Sequence, residues 1–387
     1  MRTSSQMRFV LTVAAIAVPL LATGCTRCCP SITAQPSGTP ADQVFQEFFV
    51  GGQPATAWVV RYSAVPKYGL SITGAWFRRA PGEPWLSVLY EARVAEIFVP
   101  YHPGSPRYHD IQTFSWPVVT ATRADAGCCG RLLGNPPKVV KEVRDRGVGW
   151  KDDQRVYRGR ELVLWSTLDA ANYNYIFEYG FRDDGTITFR LGATARNLPG
   201  MEEVAHTHTG VWKVDIDLAG ASRDSVLLMR HDEPSGSLAA TDVATNFNGG
   251  REGSADWQAH EFTGLHIVDT VTTNGNGKRI SYDLMPMRAG NARHWGFNET
   301  FVQHDFWATR YAPGQITAQD LPAYVADGQT IVDTDVVVWH VTPLHHEPRD
   351  EDGRYVGDFW QGVALTMWGG FDLRPRNLFA GTPLFTP

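Results

Sequence analysis

The sequence predicts an all-β protein, a large β-sandwich, and three observations carry that prediction. Runs of alternating or β-branched and aromatic residues recur from about residue 45 onward, each bounded by Gly, Pro, Asn or Asp. The 37 Gly and 24 Pro are spread along all 387 residues and cut the chain into short segments, which excludes a helical bundle. No apolar pattern of helical period extends beyond about three turns. Ala57–Tyr62, Gly69–Trp76, Thr186–Arg190 and Trp212–Leu218 are the clearest strands. Asp183-Asp184-Gly185 lies between two such runs and predicts a hairpin turn. No linker interrupts 45–387, so this stretch reads as one domain.

Composition narrows the function. Hydrophobic residues at 43% and charged residues at 20% are globular values, and the net charge of −6 supplies no basic field for nucleic acid. Residues 1–24 read as an export signal. Arg2 and Arg8 precede the apolar and small-residue run Phe9–Gly24, which is short for a bilayer span of about 20 residues. The run ends in Ala22-Thr23-Gly24-Cys25, which resembles the lipobox of bacterial lipoproteins. That resemblance implies a lipidated Cys25, with the membrane as a partner only through the anchor and the protein at a cell surface or in a periplasm. Residues 25–44, rich in Ser, Thr, Pro and Ala, read as a flexible tether. Cys28, Cys29, Cys128 and Cys129 form two adjacent pairs without metal-finger spacing, and their pairing is not legible in the sequence.

Four clusters carry chemistry. His206 and His208, two apart in a strand, project to one face and suit two ligands of one metal. Trp339 to Arg349 follows the apolar run Val336–Val338 and supplies further histidines; its bland reading is a polar loop ending in the solvated acids Asp350, Glu351 and Asp352. Asn172 to Tyr179 alternates, so Tyr173 and Tyr175 share a face as ordinary sheet aromatics. Asp215, Asp217 and Asp335 offer an oxygen-rich site for a hard cation.

Taken together, these residues resemble the catalytic domain of the copper-containing amine oxidases, the topaquinone enzymes. The likeness runs in order from about Trp58 to Phe385. It passes through Ala95–Tyr101, Asn172–Phe177, Phe181–Ile187, Gly192–Thr194, His206-Thr207-His208, Val214–Asp217, Thr334–Trp339, His346–Arg349 and Gly370–Phe379. The resemblance implies that family's supersandwich, a homodimer, and oxidation of primary amines by O₂ to aldehyde, ammonia and hydrogen peroxide. It makes Tyr173, flanked by Asn172 and Asn174, the topaquinone precursor. His206, His208 and His346 become the copper ligands, with His345 the alternative third. Tyr101 holds the quinone oxygen, Asp110 is the base that removes the substrate α-proton, and Tyr108 is a gate. Asp215, Asp217 and Asp335, with the carbonyls of Ile216 and Val336, become a secondary site expected to take calcium.

The departures from the family pattern are specific. Asn174 stands where the family has an acid, and Tyr173 to His206 is a short interval of 33 residues (206 − 173). Tyr108-His109-Asp110 comes early after Tyr101, and Val140 stands near the place of a family cysteine. A copper-binding surface lipoprotein without turnover is the competing reading. A cupin-like metal enzyme is a third, which leaves Asn172-Tyr173-Asn174 unexplained.

Overall fold

The period-two pattern becomes two broad antiparallel sheets in this computed structural model, which describes residues 32–101, 106–194, 198–232, 241–287, 298–357, 359–361 and 366–383. In the first sheet Gln43–Val50, Gln53–Val65, Gly69–Arg78 and Leu86–Pro100 run as a meander. His206–Ile216 pairs with Leu86–Pro100, and Val336–His346, Phe306–Arg310 and Gly253–Ala255 follow it. In the second sheet Tyr173–Arg182 lies between Val156–Ala170 and Ile187–Thr194, and Thr366–Arg376 comes next. The described α-helices, Arg123–Ala126 and Leu321–Tyr324, are single turns. The all-β sandwich expected from the pattern is the fold observed.

The core lies between the sheets because each strand sends alternate side chains inward. Trp212 of the first sheet sits edge-on to Tyr179, Phe189 and Phe371 of the second, with ring centroids 5.6, 5.7 and 5.8 Å away. Polar ends of core aromatics find partners across the gap. Trp58 Nε1 donates to the Arg182 carbonyl at 2.8 Å, and the Tyr179 hydroxyl donates to the Leu70 carbonyl at 3.1 Å. Gly210 lets the sheets approach just beside the histidines, since a Cβ there would meet Leu191 Cδ2 at 2.5 Å. The hairpin forms where expected: Gly185 takes φ +90° and its N–H donates to the Arg182 carbonyl at 3.1 Å.

One expectation needs correction. The tether was expected to run through residue 44, yet the chain is already folded at residue 33. Thr33 Oγ1 donates to the Glu47 carbonyl at 3.1 Å, Phe45 N donates to Gln35 Oε1 at 2.9 Å, and the first strand begins at Gln43. Ser, Thr and Pro enrichment does not prevent side chains from satisfying an edge strand. The signal segment, Cys25, Cys28 and Cys29 lie outside the described residues. Cys128 and Cys129 have sulfurs 3.0 Å apart, beyond the roughly 2.05 Å of a disulfide bond, so they are not bonded to each other.

Candidate active site

Strand register brings the histidines together. His206–Ile216 pairs antiparallel with Val336–His346 so that His206 lies directly opposite His346, and His208 follows two residues along on the same face. All three are buried, and one nitrogen of each lies within 4.8 Å of the others. His345, the alternative third ligand, is exposed because the next residue along a strand points the other way.

Each ring is held by its other nitrogen. His206 Nδ1 lies 2.8 Å from the Val204 carbonyl, which only accepts, so that nitrogen carries the proton. The Tyr175 hydroxyl donates its one proton to Asp110 Oδ2 at 2.6 Å and therefore accepts from His208 Nδ1 at 2.9 Å. His346 Nε2 lies 2.8 Å from Asp352 Oδ2. The inward nitrogens are then the lone pairs of His206 Nε2 and His208 Nε2, 3.1 Å apart, and the unpartnered buried His346 Nδ1. Lone pairs facing each other at that distance repel, and a cation between them reverses the sign. Burial favours the neutral form of His206 and His208, pushing His206 down to about 4 and His208 well below its usual value. Imidazoles with carbonyl, hydroxyl and carboxylate support are a donor set that suits copper.

Tyr173 opens its strand beside this centre. Its hydroxyl lies 3.0 Å from His206 Nε2 and 3.3 Å from the Tyr101 hydroxyl. The Tyr101 ring stacks on His206 at 4.1 Å, and Tyr108 stands edge-on to Tyr101 at 6.2 Å. Asp110 is placed by backbone: its N–H donates to the Ile97 carbonyl at 2.9 Å, and the next N–H, of Ile111, donates to the buried Glu96 carboxylate at 3.0 Å. Asp110 and Tyr173 line one cavity of about 120 Å³ together with Tyr101, Tyr108 and Asn172. Burial raises the Asp110 carboxyl to about 7, with the Tyr175 hydrogen bond opposing and Glu96 adding to the rise.

Comparison with known proteins shows what this arrangement is similar to. Residues 198–386 match the family model described as copper amine oxidase, enzyme domain. Copper amine oxidase 1 of Aspergillus niger is 26% identical over 92% of this chain and 60% of its own length. A histamine oxidase of Arthrobacter globiformis is 26% identical over 76% of this chain and 51% of its own. By this family model and these relatives, the chain is similar to the copper amine oxidases. It spans roughly half to three-fifths of the length of these relatives. Among solved structures, a copper-containing benzylamine oxidase of Hansenula polymorpha shares the fold at TM-score 0.65 and 18% identity. That match covers 92% of this chain and 63% of the other. Pichia pastoris lysyl oxidase matches at TM-score 0.64 and 16% identity, over 97% of this chain and 57% of its own.

The structure gathers most of the residues read from sequence and re-sorts the others. The family match begins after Tyr173 and covers His206, His208 and His346. Asn174 falls on the opposite face of its strand from Tyr173 and does not line the cavity, unlike Asn172. Tyr175, read as a sheet aromatic, bridges Asp110 and His208 instead. Asp352, read as part of a solvated acidic tail, is buried against His346 and also accepts from Arg349 Nη2 at 3.1 Å. Nothing in the local sequence distinguished these two from ordinary surface and sheet residues. Their role depends on a strand and a loop meeting the histidines in space. At the far end of the same two strands, Asp215, Asp217 and Asp335 bring carboxylate oxygens within 4.8 Å of one another. Ile216 and Val336 are paired between them, and both Asp215 oxygens lack a hydrogen-bond donor.

Proposed function

We propose that this chain is an exported copper- and topaquinone-dependent primary-amine oxidase, with Tyr173 as the cofactor precursor and Asp110 as the base. The observation that carries the reading is the Tyr173 hydroxyl, 3.0 Å from His206 Nε2 and in one cavity with Asp110. When copper is bound, it and O₂ convert such a phenol to a quinone, which takes two electrons from the amine and passes them to O₂.

The chain's own residues do the rest. His206 and His208 through Nε2, and His346 through Nδ1, would hold the metal. Asp352, Tyr175 and the Val204 carbonyl keep those nitrogens aimed inward. Tyr101 orients the Tyr173 oxygen by its hydroxyl and blocks one side with its ring. Asp110 accepts the substrate α-proton, work that suits a desolvated carboxylate with a value near neutrality. Tyr108 guards the approach. Nearly complete burial of Tyr173 keeps water from the reacting atoms.

Protein matured with copper and air is expected to be pink, to form a phenylhydrazine adduct and to release peroxide with a primary amine. Tyr173→Phe should bind copper without colour or adduct, and His346→Ala should lose tight copper. An adduct in Tyr173→Phe, or normal copper content in His346→Ala, refutes the assignment. The reading extends to a calcium ion at Asp215, Asp217 and Asp335, a homodimer, and a lipid anchor at Cys25 holding the domain at a membrane, on the cell surface or in a periplasm.

A further inference from the structure

The cavity that joins Asp110 to Tyr173 has a composition of its own. Val99, Phe114, Trp116, Ala170 and Leu198 supply its apolar lining. The Phe114 and Trp116 rings stack with centroids 4.8 Å apart, making one broad aromatic face. Among the described residues lining it, Asp110 is the only charged side chain, and its Oδ2 already accepts the Tyr175 hydroxyl. At about 120 Å³ the cavity is well below the roughly 300–1,000 Å³ of a drug-sized site.

We infer that the preferred substrates are primary monoamines with a compact aromatic or branched apolar tail, and that diamines, polyamines and peptidyl lysine are poor ones. The inference rests on the amine-oxidase reading and adds the tail chemistry to it. A substrate here places one amine at the Tyr173 ring edge, where Asp110 takes the α-proton, and its tail against Phe114 and Trp116. Benzylamine gains ring contact on that face and loses no polar group to burial. The second ammonium of putrescine meets apolar walls, and Asp110 is committed at the other end. A buried cation without a carboxylate is strongly disfavoured, and the face of Trp116 is a weaker partner than the water it replaces. A peptide backbone carries amides that these walls do not satisfy.

The test uses the full chain matured with copper, with rates per phenylhydrazine-reactive quinone. kcat/KM for benzylamine is expected to exceed that for putrescine and for spermidine at least ten-fold at one pH. Trp116→Ala should raise KM for benzylamine several-fold at unchanged quinone content. Ala171→Asp provides the complementary test. Ala171 is exposed at the cavity rim and has φ +57°, a conformation Asp tolerates well. The new carboxylate should narrow the benzylamine-to-putrescine ratio at least three-fold. A parent enzyme that oxidises putrescine or spermidine as well as benzylamine overturns the inference and leaves the amine-oxidase reading standing. An unchanged ratio in Ala171→Asp also overturns it. Protein with no hydrazine adduct and no peroxide from any of these amines overturns the amine-oxidase reading and this inference with it.

Discussion

At the scale of single residues, Tyr175 links the two halves of the site. One hydroxyl accepts from the His208 imidazole and donates to Asp110, so the proposed ligand and the proposed base share a fixed geometry. Asp110 must be ionised to accept a proton, and burial has raised its carboxyl to about 7. Turnover should therefore rise as pH climbs through neutrality and fall as the carboxylate protonates below it. Tyr175 stabilises the ionised form, so Tyr175→Phe should move that acid limb of kcat/KM to higher pH. A hydrogen bond to a charged group contributes about 1.5–3 kcal/mol and one pH unit is about 1.4, which predicts a move of about 1–2 units. An acid limb that stays in place, at equal quinone content, would mean Tyr175 does not hold the base. Asp110→Asn should retain quinone and bind amine but release no aldehyde; wild-type turnover there places the base elsewhere.

Two adjacent strands carry both polar centres, one at each end. His206–Ile216 and Val336–His346 pair in one uninterrupted register, with the histidines at one end and, at the other, Asp215 and, one residue beyond the strands, Asp217 and Asp335. Burial and mutual repulsion raise Asp215 to about 8 and Asp217 to about 6, and burial raises Asp335 as well. The folded values stand above the unfolded value of roughly 3.9. Without a cation, stability is therefore fullest where the carboxyls are protonated and is lost as pH rises from about 4 through 8. A divalent ion reverses that cost. Added calcium should raise Tm by several degrees at pH 8 and by much less at pH 5, and the effect should vanish in Asp335→Asn. Equal calcium effects at both pH values, or in the variant, would rule out these carboxylates as the site.

For the whole molecule, the early start of the fold limits its reach. The domain is ordered from about residue 33, so if Cys25 carries the lipid, the chain between them extends at most about 30 Å. The sandwich would then sit against the membrane rather than range above it. Cys25→Ser is expected to move the protein from the membrane fraction to the soluble one with copper content and colour intact. Persistent membrane association of that variant would point to an uncleaved signal segment.

The sequence by itself determined the sandwich, through period-two runs and scattered Gly and Pro. It also paired His206 with His208 and Asp215 with Asp217, because residues two apart in a strand must share a face. His346 over His345 was legible only through family likeness, and the register then gave the reason. Tertiary structure alone decided the roles of Tyr175 and Asp352. Each is an ordinary strand or loop residue until a second sheet or a returning segment buries it against a histidine that needs a hydrogen-bond partner. It placed Asp110 as well, since whether an early Tyr-x-Asp shares a cavity with Tyr173 depends on how Arg107–His109 pairs with Leu86–Pro100. Local pattern encodes which way a side chain points. Only packing encodes what it meets there.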